Sequence, residues 1–315
     1  MSLCGHDTLK KQAFSIFTKR TIAELPGCFV TLMQNPGAVS FIFDGDMHPT
    51  DSLNIHPDNR ALRYGDGLFE TLQVREGKLL LFPYHLERLT HGMGLLQLEA
   101  TAGFFQTLEQ QVLHLCSLND CLSRARVRIN VFRAEGKLFA SALSPFHYLI
   151  EAFALSAAES AFNPQGLSAG LFGDVRKSCD KFSSLKSNSY LPFVMAARYA
   201  SCHGWDDALV LNTYGRVAES AVANVFVIRG GVICTPPLSE GCVAGVMRRH
   251  LLHQLPRGGF RISERILSPE DVYGADELFL TNAIKGVRPV SQLDHKTYTM
   301  DKAREIHQLA ERTLW

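Results

Sequence analysis

The stretch SAAESAFNPQG (residues 156–166) is the strongest loop signal in the chain, a run of Ala, Ser, Asn, Pro and Gly between two patterned regions. Read as a linker over 156–165, it divides the sequence into a small α+β domain at 40–155 and a larger strand-rich domain at 166–315. A length of 315 residues agrees with two domains of about 100 to 200 residues each.

Working toward the N-terminus, FHYLIEAFAL (146–155) reads as a strand, and RVRINVFR (126–133) alternates as a strand does, with Val127, Ile129 and Val131 facing one way. Two helices precede them. One starts from about Phe104, with Phe105, Leu108, Val112 and Leu115 on one stripe; the other starts from about Pro83, with Leu86, Leu89, Met93 and Leu96 at helical spacing. LFETLQVREGKLLLF (68–82) is a hairpin hinged at Glu76 and Gly77, and SFIFDGDMHPTDSLNI (40–55) is another around its Asp-Gly turn. The first half is thus α+β with a largely antiparallel sheet. Residues 1–39 lack clear periodicity and are assigned no function. Their apolar stretch is broken by Lys10, Lys11, Lys19 and Arg20, which makes a poor signal peptide.

Toward the C-terminus, DALVLN, ANVFVI and GVICT read as short strands in a hairpin series. GVMRRHLLHQL starts a helix at Gly245, DELFLTN is a later strand, and a closing helix begins near Met300.

Apolar residues make up 46% and charged residues 20%, with Lys+Arg 32 against Asp+Glu 31. A net charge of +1 supplies no field for nucleic acid or an acidic membrane surface. No stretch approaches the roughly 18 apolar residues of a membrane span. Eight cysteines lie scattered without a CxxC pair, which suits free thiols in a reducing cytoplasm. His250 and His253 are three apart on the expected helix with no third donor near them, so no metal site is assigned. YGDGLFE lacks the G-x-G-x-x-G spacing of a dinucleotide site, and no G-x-S-x-G elbow occurs.

The residues left to carry chemistry are isolated polar groups at element ends. Lys186 sits in SSLKSNSY (183–190), near an extended-to-helix junction. Glu219 sits among small apolar residues in GRVAESAVANVF, where an unpaired carboxylate is costly to bury, so it is expected to meet a cation. Gly245, Val246 and Met247 open a helix whose free N–H groups favour phosphate. Arg88 projects opposite its helix's apolar stripe, and Arg133 ends a strand. A lysine, a carboxylate for a ring nitrogen, and a phosphate site built from a helix N-terminus and an arginine are what pyridoxal phosphate asks of a protein.

Six motifs then stand in order: YGDGLFET (64–71), HLERL (85–89), LKSNSYL (185–191), GRVAESAVANVFVI (215–228), TPPLSEGCVAGVMR (235–248) and ADELFLTNAIKGVRPV (275–290). From about residue 41 to 315 the chain resembles the class IV aminotransferases, the fold-type IV pyridoxal-phosphate enzymes that include branched-chain aminotransferase, D-amino acid aminotransferase and aminodeoxychorismate lyase. The resemblance implies a two-domain α/β (α+β) fold with the cofactor in the cleft between domains, and a homodimer.

The resemblance also implies roles. Lys186 forms the imine with the cofactor and shuttles the proton, and Glu219 pairs with the pyridine nitrogen. Arg88 and the amides of Val246 and Met247 hold the phosphate. Tyr190 contacts the ring hydroxyl, and Asn282 is a further cofactor contact. Arg133 and Glu70 stand on the substrate side, while Asn224 shapes the turn beneath Glu219. Three activities stay open: transamination between a branched-chain or D-amino acid and a 2-keto acid; release of pyruvate and 4-aminobenzoate from aminodeoxychorismate; and cofactor binding without turnover. Met247 and Ala283 stand where many aminotransferases place a phosphate-binding hydroxyl, and both departures look lyase-like.

Overall fold

The computed structural model describes residues 39–99, 102–136, 138 and 145–314, all within one compact unit. The segment 1–38, part of the stretch assigned no function, lies outside the described residues. Two sheets organise the rest.

The first sheet begins with the hairpin β1 (Ser40–Phe43) and β2 (Asp46–Pro49) around the Asp44-Gly45 turn, both turn residues having positive φ. After a short helix α1 (Arg60–Tyr64) come β3 (Gly67–Arg75) and β4 (Lys78–Leu79), then helices α2 (Phe82–Leu95) and α3 (Ala102–Leu118), and strands β5 (Arg124–Arg133) and β6 (Phe146–Ala154). The order is β2-β1-β6-β5-β3-β4, and the pairings are antiparallel. Val127, Ile129 and Val131 turn one way, as their alternation demands, and meet Leu89 and Met93 of α2 and Leu108, Val112 and Leu115 of α3 in one core. The other face of the sheet carries Phe69, Thr71, Arg126 and Arg128, since neighbours along a strand point oppositely.

The segment expected as linker holds one helical turn, α4 (Ala157–Ser160), closed by a capping box between Ser156 and Glu159. The second sheet follows. Its elements are β7 (Leu167–Lys177), α5 (Leu191–Cys202), β8 (Asp207–Asn212), β9 (Val217–Ser220), β10 (Asn224–Arg229), β11 (Val232–Thr235), α6 (Val246–Arg257), β12 (Arg261–Glu264), α7 (Pro269–Tyr273), β13 (Glu277–Asn282), β14 (Gly286–Leu293), β15 (Lys296–Thr297) and α8 (Asp301–Thr313). The strand order is β12-β11-β10-β13-β14-β7-β8-β9, with β15 on β14. The hairpin series is only part of it. β7 pairs in parallel with both β8 and β14, and β11 in parallel with β12.

Helices α6 and α8 cover one face of this sheet, Met247, Leu251 and Leu255 packing with Ala303, Ile306 and Ala310 over the stacked rings of Phe226 and Phe279. Helix α5 packs Ala196 and Ala200 on Phe172 and Val210. No helix among the described residues is long and apolar enough to cross a membrane.

Candidate active site

Lys186 is held by backbone rather than by its side chain. The amide of Phe69 donates to the Lys186 carbonyl at 2.9 Å, and the amide of Asn188 donates to the Gly67 carbonyl at 2.9 Å, so residues 186–188 run antiparallel against the start of β3. Gly67 is required there: a Cβ would lie 2.5 Å from the Val131 carbonyl and 2.7 Å from the Asn188 side chain. The hydroxyl residues around the lysine build the loop. The Asp180 amide donates to Ser183 Oγ at 2.9 Å, and the Ser184 carbonyl accepts from the Ala244 amide at 3.0 Å.

The Lys186 ammonium group lies over the Phe69 ring at 4.3 Å and near the Tyr190 ring at 6.0 Å. Among the described residues no carboxylate comes within 4.0 Å of it. Burial, followed by the positive charge of Arg88, pushes its pKa down to about 8. A lysine so placed offers a neutral amine in a fraction of molecules useful for nucleophilic chemistry near neutral pH.

Glu219, in β9, is 3% exposed and meets a cation, as its surroundings demand: Lys177 Nζ at the end of β7 donates to Oε1. The Val243 amide donates to Oε2 at 3.0 Å. Each carboxylate oxygen has room for a second donor, so Glu219 can still receive a ring N–H. Its second partner belongs to the turn Val243–Gly245 that leads into α6, and side chains from other elements hold that turn. Asn224 Nδ2 donates to the Val243 carbonyl at 2.8 Å, and Arg88 Nη1 donates to the Ala244 carbonyl at 2.9 Å. Asn224 therefore shapes the turn beside Glu219.

Gly245 caps α6 without a side chain, and the first amides of that helix have no intrahelical acceptor. With the Arg88 guanidinium against the preceding carbonyl, the helix N-terminus forms a cradle for an anion. The side chain of Met247 points into the core at 2% exposure, so only its amide faces the cradle.

Tyr190 donates its hydroxyl to the Ala221 carbonyl at 3.2 Å and sets its ring edge-on to Phe69 at 5.4 Å. Three expected residues are committed elsewhere. Arg133 donates through Nε to Asp66 at 2.9 Å and through Nη2 to the Leu96 carbonyl at 2.5 Å, closing the C-terminus of α2, which leaves it occupied rather than free for a substrate carboxylate. Glu70 is buried between Arg88 and His85. Asn282 Oδ1 accepts from the amides of Ile284 and Lys285, and the residue lines a cavity with Asp207, Lys285 and Arg288 to which Lys186 does not contribute.

Arg128, in β5, was not singled out by its sequence. Its guanidinium lies 4.0 Å from the Phe69 ring, the ring that also carries Lys186, and among the described residues it has no carboxylate within 4.0 Å. Burial lowers its pKa. The strand alternation that turns Val127 and Ile129 into the core turns Arg128 to the opposite face, so the signal was present in the sequence. His250 and His253 bond to Thr313 Oγ1 at 2.9 Å and to the Tyr84 hydroxyl at 3.0 Å.

This geometry has counterparts. The family described as amino-transferase class IV matches residues 67–293. A branched-chain-amino-acid aminotransferase of Pseudomonas aeruginosa is 26% identical over 261 residues, covering 80% of this chain and 84% of the relative. An aminodeoxychorismate lyase of Bacillus subtilis is 27% identical over 252 residues, covering 78% and 83%. The crystal structure of 4-amino-4-deoxychorismate lyase from Pseudomonas aeruginosa superposes with a TM-score of 0.75 at 27% identity, covering 87% of this chain and 99% of that one.

Proposed function

The chain belongs to the class IV aminotransferase family, and from that premise we propose that it is a pyridoxal-phosphate-dependent aminotransferase whose cofactor is carried by Lys186. One observation carries the reading: a half-buried lysine with no carboxylate within 4.0 Å among the described residues, its pKa near 8, stands beside an anion cradle made by Arg88 and the start of α6. The residues fit the cofactor at three points: amine, anion cradle, and the open acceptor capacity of Glu219. Pyridoxal phosphate, when bound, supplies an aldehyde that condenses with amines and a ring that draws electrons from the substrate's α-carbon.

The rest is the work of the chain. Lys186 Nζ is the atom poised to take a proton from the substrate α-carbon and to return it, because its lowered pKa lies close to working pH. Glu219, paired with Lys177, would accept a hydrogen bond from the cofactor's ring nitrogen. The amides of Val246 and Met247 and the free N–H groups of Arg88 bind phosphate. The Phe69 and Tyr190 rings lie beside the amine. Arg128, rather than Arg133, receives the substrate carboxylate, since among the described residues no carboxylate lies within 4.0 Å of its guanidinium, which lies over the same Phe69 ring as Lys186. We assign 40–155 and 166–315 as the two domains, a homodimer as the assembly, and the cytoplasm as the compartment. The cysteines among the described residues are all free thiols, which agrees with a reducing compartment.

Borohydride reduction of protein loaded with pyridoxal phosphate should fix the cofactor's mass on the peptide containing Lys186; unmodified Lys186 after loading ends the proposal. A panel of D- and L-amino acids with 2-keto acids then identifies the donor.

A second reading, aminodeoxychorismate lyase, is favoured by a specific observation. Met247 buries its side chain where many aminotransferases carry a phosphate-binding hydroxyl, and Arg126 and Arg128 on one sheet face suit a dicarboxylate. Incubation with aminodeoxychorismate separates the two. Aminobenzoate release without amino transfer overturns the aminotransferase.

A further inference from the structure

Glu70 is 2% exposed, and both of its carboxylate oxygens are hydrogen-bonded. Arg88 Nε donates to Oε1 at 2.8 Å, Arg88 Nη2 donates to Oε2 at 2.5 Å, and His85 Nδ1 lies 2.6 Å from Oε2. This is a two-pronged pairing in which the guanidinium plane and the carboxylate plane must coincide. β3 supplies Glu70 and α2 supplies both partners, so strand and helix are tied at this point.

The arginine's donors can be counted. A guanidinium has five N–H groups. Glu70 takes two and the Ala244 carbonyl takes one, through Nη1 at 2.9 Å, which leaves one on Nη1 and one on Nη2. Both remaining N–H groups lie in a plane already locked by Glu70 on one side and by the turn before α6 on the other. Burial favours the neutral form of His85, so its Nδ1–H can donate to Glu70 without adding a competing charge. Its Nε2 is buried without a partner among the described residues.

We propose that Glu70 is a positioning residue that aims the two free N–H groups of Arg88 at a phosphate seated on the N-terminus of α6, and so makes the site select phosphorylated pyridoxal by geometry rather than by charge. Charge is the poorer explanation. Glu70 neutralises Arg88, and a site working by charge alone would be better without it. What the carboxylate adds is orientation, obtained in the folded protein before any ligand arrives. The inference rests on the reading of Lys186 as the cofactor lysine, and it moves Glu70 from the substrate side to the phosphate side of the site.

The test compares binding of pyridoxal phosphate and of pyridoxal to the whole protein, each followed by absorbance titration, and reads the ratio of the two dissociation constants. Wild-type protein should prefer the phosphorylated form strongly; equal affinity for the two overturns the reading of the site, and this inference with it. Glu70→Asp keeps the charge but withdraws the carboxylate by one methylene, and Glu70→Gln keeps the length but puts an amide N–H against a guanidinium N–H. If Glu70 positions Arg88, both variants lower the ratio about tenfold or more, while affinity for pyridoxal itself, which reports on Lys186, changes much less. An unchanged ratio in Glu70→Asp, or a raised ratio in Glu70→Gln, overturns the inference and makes Glu70 a charge partner only. Should neither variant give a cooperative thermal transition, Arg88→Lys serves in their place. It keeps the charge and loses the fork, so the ratio should fall by a similar factor, and an unchanged ratio rejects orientation as the cause.

Discussion

Lys186 costs the folded protein stability whenever it is charged. Its pKa falls from 10.5 in the open chain to about 8 in the fold, chiefly through burial. Below pH 8 both states hold the proton and the full penalty applies; between 8 and 10.5 the unfolded chain binds more protons, so stability rises with pH across that window. In protein stripped of aldehyde, Lys186→Met should therefore be more stable than wild type at pH 7, by at most roughly 3 kcal/mol. The gain should shrink as pH climbs from 8 to 10.5, as read by urea unfolding; a gain independent of pH would show that Met packing, and not charge burial, is responsible. Glu219 presents the opposite case. Its pair with Lys177 is buried on both sides, and Glu219→Ala strands a cation, which should destabilise by about 3–5 kcal/mol. Glu219→Ala combined with Lys177→Met should recover much of that loss in the same measurement. That Glu219 needed a cation was legible from its apolar neighbours. That the cation is Lys177, 42 residues earlier, was not, because only the β7–β8–β9 pairing brings them together.

At the scale of elements, the turn Val243–Gly245 gathers Glu219, Asn224, Arg88 and Ser184 at one point. A Cβ on Gly245 would come 1.8 Å from Asn224 Oδ1, and Asn224 cannot swing aside without releasing the Val243 carbonyl. Gly245→Ala should cost about 1–3 kcal/mol, and the combination with Asn224→Ala should cost less than the sum of the two, because one obstacle is shared. Thermal melts of the three variants check it. The helices with a strong apolar stripe and the hairpins with Asp-Gly or Glu-Gly turns were readable, since their signals are local. β7 was not: LSAGLFGDVRK carries two glycines and no clean alternation. Gly170 is there because Trp205 lies against it, where a Cβ would meet the indole at 1.7 Å, so the residue that weakens the strand pattern is one the packing demands.

Over the whole molecule, the closing helix α8 ties distant parts together. Glu311 accepts from Arg75 of β3 at 2.8 Å, and Ile306 is fully buried against the second sheet. Ile306→Ala should destabilise by about 2–4 kcal/mol, with a lowered urea midpoint as the readout. A smaller effect would mean that α8 packs loosely. The proposed homodimer is checked by sedimentation, where a monomer at working concentrations rejects it. Strand and helix periodicity, the ordered motifs and the identity of the candidate lysine were determined by sequence alone, because they depend on neighbours a few residues apart or on a pattern held in chain order. Which arginine is free and which is occupied was decided only in three dimensions. Arg128 and Arg133 lie on one strand and have the same chemistry. Arg133 meets Asp66 and the end of a helix, while Arg128 lies over the aromatic ring that also carries Lys186. A side chain's availability depends on contacts made across the fold, and those contacts are not written in its own neighbourhood.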